Sequence, residues 1–249
     1  MNTKNIALML SETLEHYSAD KVRQGHYWCS FKQKGCFIGC LTHSDTAQGV
    51  TELFGIERDL VLLLEDIYEG LSPAESKQFF KDIPYAIGKD GRDLGFVKWA
   101  FLRDTLKALP AQEEKIKSVI DPVIEGMELL SAGIAWPHAY AASVAASGEA
   151  YAAAYNSTSA SASASTAAYA SASYSSYASS YSSSYSSSAA SSAASAAAYS
   201  AADLPVRRGI SSLDAAAAAN SYFRAWPHAD AGLERTRQAK SILALIKAA

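Results

Sequence analysis

Residues 60–80 read LVLLLEDIYEGLSPAESKQFF, and the joint in the middle of that run decides the fold. Before it, Leu60, Leu63, Leu64 and Ile67 recur at three- and four-residue spacing, the period of one face of an α-helix. Gly70 then reads as the C′ stop, because glycine takes a left-handed conformation without a Cβ clash. Ser72 follows as an N-cap, Pro73 stands at the first helical position, where a missing N–H leaves nothing unsatisfied, and Glu75 occupies N3. A stop and a start this close predict two helices joined by a tight corner, the second ending before Pro84. No strand pattern competes in this half of the chain.

The flanking sequence extends the same theme. IALMLSETLEHY places Ile6, Leu10, Leu14 and Tyr17 on one expected stripe. DLGFVKWAFLRDTLKAL is a second amphipathic helix, whose Phe96, Trp99, Phe101, Leu102 and Leu106 supply enough aromatic and aliphatic area to anchor a core. AQEEKIKSVIDPVIEGMELLSAG reads as two helical pieces, with Asp121 capping and Pro122 at the first position of the second. KDGRD (Lys89–Asp93) is half a calcium loop without its other half, and reads as a turn. RQGHYWCSFKQKGCFIGCLTHSD mixes glycines with both characters, so loop, short hairpin and helix start all remain open there.

From Ala139 to Ala202 the composition changes to Ala, Ser and Tyr with a single charge, Glu149, and no Gly or Pro follows Gly148 until Pro205. Serine-rich tracts suggest disorder, but tyrosines recur throughout this one. STSASASAST alternates with period two, and seven of the tract's nine tyrosines fall at odd positions, which suits a strand. Helix is favoured over both, because Ala is the best helix former and Ser costs only about half a kcal/mol against it. On an 11-residue period, fitted to those positions, all nine tyrosines share an arc of roughly 130°. Such a helix needs partners, so a fold-back with a break near Tyr155–Ser159 is expected.

The phrase AWPHA brackets the tract, at Ala135–Ala139 and Ala225–Ala229. Each copy follows an expected helix end, and each proline stands where a new helix can begin, with Trp as a plug beside the boundary. His138 and His228 as a metal or proton-relay pair is the lesser reading. The last element, AGLERTRQAKSILALIKAA, should turn Leu233, Ile242, Leu245 and Ile246 inward and Arg235, Arg237, Lys240 and Lys247 outward.

One constellation carries possible chemistry. Cys29, Cys36, Cys40 and His43 form C-x6-C-x3-C-x2-H, four zinc-type donors inside fifteen positions. The spacings depart from C-x2-C knuckles and CFIGCL is apolar, so buried structural thiols are favoured over zinc, and zinc over a thiol nucleophile paired with His43. No cofactor is expected beyond that possible zinc. Phosphate-binding glycine loops, zincin helices and nucleophile elbows are absent from the sequence. A net charge of −3 gives no polybasic footprint, so neither nucleic acid nor an anionic membrane is an expected partner. Without a signal peptide or an apolar span, and with three clustered cysteines, a soluble cytoplasmic protein is expected.

GCFIGCLTHS, then LLLEDIYEGLSPAESKQFFKDIPYAIGKDGRDLGFVKWAFL, an Ala-rich tract with tyrosines and a closing SILALIKAA together resemble a group of uncharacterised bacterial and phage-associated proteins. The shared features are a G-C-x-x-G-C-L-x-H segment, matched here by Cys36, Cys40 and His43 but not Cys29, and a long Ala-rich segment. The resemblance implies helix for the tract and brings no activity with it. This chain departs from the group by carrying Ser where its members place charges.

The expectation is therefore an all-α protein: a helical domain over 1–134, a folded-back Ala/Ser/Tyr-rich helical array over 135–203, and a C-terminal amphipathic segment over 204–249. Its expected function is non-enzymatic, a partner-binding or self-assembling surface built from Tyr151, Tyr155, Tyr169, Tyr174, Tyr177, Tyr181, Tyr185 and Tyr199 with the serines around them. A zinc-binding regulatory or catalytic domain centred on Cys36, Cys40 and His43 is the alternative.

Overall fold

The computed structural model describes residues 1–25, 28–44, 46–108, 114–138 and 229–249, with Ala142 and Ala145 alone between the last two stretches. The helical array expected over 135–203 lies almost wholly outside them. Among the described residues the fold is all-α: α1 (Ile6–Ser18), α2 (Phe37–Thr42), α3 (Ala47–Phe54), α4 (Arg58–Gly70), α5 (Pro73–Ile87), α6 (Val97–Lys107), α7 (Glu114–Ser131) and α8 (Ala229–Ala248), interrupted by one two-stranded hairpin, β1 (Trp28–Cys29) and β2 (Lys34–Gly35). The open stretch before α2 thus contains all three of its alternatives: loop, hairpin and helix start. The chain divides into two compact units, 1–98 with 236–249, and 99–235. Among the described residues no helix is long and apolar enough to cross a membrane.

The corner between α4 and α5 forms as its sequence dictates. Leu60, Leu63, Leu64 and Ile67 are all buried, and Ser72 and Glu75 make the reciprocal capping box with Pro73 behind them. Gly70 is the one difference, since it ends α4 within the helix and Leu71 leaves it extended. A left-handed stop is unnecessary because Gln24 Nε2 donates to the carbonyls of Tyr68, Glu69 and Leu71 at 2.9, 3.3 and 2.9 Å, filling the orphaned acceptors. Glu75 also accepts from Thr236 Oγ1 at 2.7 Å, so the cap is tied to the C-terminal helix. Replacing Ser72 by alanine should cost about 1 kcal/mol in urea denaturation. Hydrogen bonds from Ser72 and Thr236 hold the Glu75 carboxyl below the usual carboxylate range. This contribution is therefore full above the unfolded pKa and is lost as pH falls through the folded one. The Ser72→Ala deficit should shrink in acid.

Two prolines sit inside helices that were expected to break at them. α5 runs through Pro84 to Ile87, because Ile83, Ala86 and Ile87 are buried on the same face and Gly88 N–H closes onto the Pro84 carbonyl at 2.9 Å. α7 is one helix rather than two pieces, its buried stripe of Val119, Ile120, Val123 and Met127 passing straight across Pro122. Before the first AWPHA, Gly133 takes φ +73° after α7, as the stop signal predicts, while the helix expected beyond Pro137 lies almost wholly outside the described residues. Trp136 lies against Gly126, where a Cβ would come within 2.2 Å of its ring.

Other faces are rotated from their expected positions. α1 buries Ile6, Met9, Thr13 and His16, leaving Leu14 at the surface, because α5 and α2 pack on that side. In α8, Ile242 and Ile246 are buried as expected, but Leu233 is 68% exposed and Arg235 1%. The buried positions 235, 238, 239, 242 and 246 form one helical stripe, which excludes 233. α6 buries Trp99, Phe101, Leu102 and Leu106, with Phe96 half-buried at its start. It also buries Lys98, whose ammonium pairs with Glu57 and lies 3.9 Å from Asp59.

Candidate functional site

α1, α2 and the hairpin bring three rings and a carboxylate together. Glu12 and His16 are one turn apart on α1, and His16 is buried. Its Nδ1 lies 2.9 Å from the Glu12 carbonyl oxygen, which can only accept. Nδ1 therefore carries the proton in the neutral ring, and Nε2 keeps its lone pair. His43 ends α2 in the left-handed conformation, φ 52° and ψ 31°, with its N–H on the Gly39 carbonyl at 2.8 Å. That backbone takes its half-exposed ring out of the helix, and Nε2 lies 3.4 Å from Glu12 Oε2. Trp28, on β1, stacks on His43 with ring centres 4.6 Å apart and meets His16 edge-on at 5.7 Å. The two imidazoles are 5.2 Å apart.

These rings wall a 290 Å³ cavity completed by Glu15, Lys21, Ser30 and Gln33. The hairpin turn sets the last of these: Gln33 adopts φ 47° just before Lys34 pairs with Cys29. Lys21 Nζ donates to Gln33 Oε1 at 3.3 Å. The cavity is thus small and lined by both polar and aromatic side chains, a combination suited to a small ligand.

The cysteines take other positions. Cys29 is on β1 and partly exposed, whereas Cys36 and Cys40 are buried at the start and middle of α2. The Cys36 thiol donates to Glu65 Oε1 at 3.2 Å and Cys40 to the Gly35 carbonyl at 3.3 Å. Burial pushes the Cys40 thiol up to about 12. It pushes Cys36 further, aided by the negative Glu65 beside it. Thiolate, not thiol, is the nucleophile, so neither sulfur is prepared for that role. Nor do Cys29, Cys36, Cys40 and His43 gather as one set. Among the described residues, donor groups within 4.8 Å of one another are Glu12, His16 and His43 in one case and Cys36, Glu65 and Glu69 in the other. The reason is local. Positions 36, 40 and 43 share a face only while the helix continues, and α2 stops at Thr42.

Glu12, His16 and Trp28 were not singled out from the sequence. The E-x-x-x-H spacing on one helix is the available signal, masked in the sequence by the more apolar stripe through Leu10 and Leu14. Tyr151, Tyr155, Tyr169, Tyr174, Tyr177, Tyr181, Tyr185 and Tyr199 lie outside the described residues, as does His228. No protein-family model, curated protein or solved structure matches the chain, so the site is read from its own geometry.

Proposed function

We propose that this protein is a non-enzymatic interaction protein that uses its Ala/Ser/Tyr tract for partner binding or self-assembly. The supporting observation is that residues 236–249, most of the C-terminal helix, belong with residues 1–98: Arg92 donates to the Lys247 carbonyl at 3.0 Å and Thr236 to Glu75 at 2.7 Å. On the other side, the chain enters the tract past α7 and the Trp136 plug on Gly126. Tyrosine gives the tract contact area at low entropy cost, and serine gives adaptable hydrogen bonds. Its partner is a protein or a second copy of the chain, and the resemblance to phage-associated proteins suggests a host protein. Few charges are there to engage a nucleic-acid backbone. Three free thiols suit the reducing cytoplasm. Zinc centred on Cys36, Cys40 and His43 is the weaker reading, because those three residues do not form one donor set among the described residues.

Light scattering on the full chain across a concentration series, with affinity capture from host extract, tests the reading. The comparison is a variant with Tyr169, Tyr174, Tyr177, Tyr181 and Tyr185 changed to alanine. Mass growth or a captured protein that disappears in the variant, at unchanged helical circular dichroism, is expected. Identical mass and identical capture in both chains overturns the proposal.

A further inference from the structure

We propose that Glu12, His16 and His43 form a binding site for a divalent transition-metal ion of the zinc class, with one coordination position directed to the neighbouring cavity. The inference is independent of the tract. One donor atom from each residue lies within 4.8 Å of the other two. A tetrahedral ion with bonds near 2.1 Å sets its donors roughly 3.4 Å apart. His43 Nε2 and Glu12 Oε2 already stand at 3.4 Å. His16 Nδ1 stands 3.9 Å from the same carboxylate oxygen, so both imidazoles border Glu12.

The surroundings of the donors match what metal histidines require. A ligating imidazole donates its other N–H to a carbonyl or carboxylate, which sets the tautomer and aims the lone pair. Glu12 does this for His16 through its backbone, in the same turn that offers its carboxylate. For His43, the stack on Trp28 sets the plane of the ring. Two imidazoles and one carboxylate form a borderline donor set, favouring zinc, cobalt, nickel or copper over calcium and magnesium, which take oxygen shells. Three protein donors leave a tetrahedral ion one position short, the arrangement of zinc sites that accept an outside ligand rather than of closed structural ones. His16 and His43 are themselves walls of the 290 Å³ cavity, so that position has room for a small oxygen- or nitrogen-bearing molecule. The second donor group does not compete: both Glu69 oxygens accept from Gly25 N–H, at 3.1 and 2.8 Å, and the Cys36 thiol is spent on Glu65.

The test is titration of the full-length, chelator-treated protein with zinc by equilibrium dialysis and with cobalt by visible absorption. One ion per chain is expected, with a cobalt spectrum lacking a thiolate charge-transfer band. His43→Ala and Glu12→Gln should each weaken zinc binding about 10- to 100-fold or more while circular dichroism stays unchanged. Both positions are open enough to be changed without unfolding, unlike the buried His16. Failure to bind, wild-type affinity in both variants, or a thiolate band would each overturn the site.

Discussion

Phe80→Ala should destabilise the first unit by about 3–5 kcal/mol, the range for emptying a buried phenylalanine site. Phe80 is fully buried on α5, and its ring meets that of Phe37 on α2 edge-on, with centres 6.0 Å apart and planes at 87°. The contact joins the short α2, which carries Cys40 and is followed directly by His43, to the helix that packs on α1 and α4. Its loss should therefore loosen the site as well as the core. Urea denaturation followed by circular dichroism measures the cost. A double-mutant cycle with Phe37→Leu should isolate a coupling of about 0.5–1.5 kcal/mol for the aromatic pair. A total loss below about 1.5 kcal/mol would mean that neighbours collapse into the vacated space and that the pair is not a keystone.

Gly55→Ala should be nearly as damaging, for a different reason. Gly55 sits at φ +68°, where an L-residue is strained by roughly 1–2 kcal/mol. A Cβ there would also meet the Asn2 carbonyl oxygen at 2.2 Å, a contact with backbone that has little freedom to retreat. Lys4 N–H is held by the Phe54 carbonyl at 2.9 Å and Thr3 N–H by Arg92 at 2.9 Å, while Asn5 Nδ2 reaches Leu53 at 2.8 Å. Overpacking adds about 1–3 kcal/mol, for a total of about 2–5. Gly91→Ala is the control: it has φ +83° and nothing within 4 Å of its Cβ position, so it should lose only the conformational part. Equal losses at 55 and 91 would refute the clash.

Much of this architecture was legible from residue order. The α4–α5 corner, the buried leucines of α4, the aromatic face of α6 and the Gly133–Trp136 boundary all follow from local rules of period, capping and stop signals. Reading failed where a local rule met a packed neighbour. Pro84 and Pro122 were read as breaks, yet the apolar residues beyond them earn enough burial to keep each helix going. Leu10 and Leu14 outweighed Thr13 and His16 in the expected stripe of α1, and the helix turned its more polar face inward. Arg235 and Leu233 exchanged expected places for the same reason. Periodicity says that a face is buried, but which of two adjacent faces depends on what packs against it.

The candidate site shows the same division. Sequence alone determined that His43 stands near two cysteines, that those cysteines are apolar enough to be buried, and that α-helices flank them. It determined the uncharged tract and the helices on either side. Tertiary structure alone decided that α2 ends one residue before His43, that a left-handed backbone sends that ring to Glu12, His16 and Trp28, and that burial keeps the thiols protonated. Helix periods and caps act over a few residues and can be read along the chain. The meeting of Glu12 with His43, thirty-one positions apart, depends on α1, α2 and the hairpin packing together, and no local rule encodes that distance.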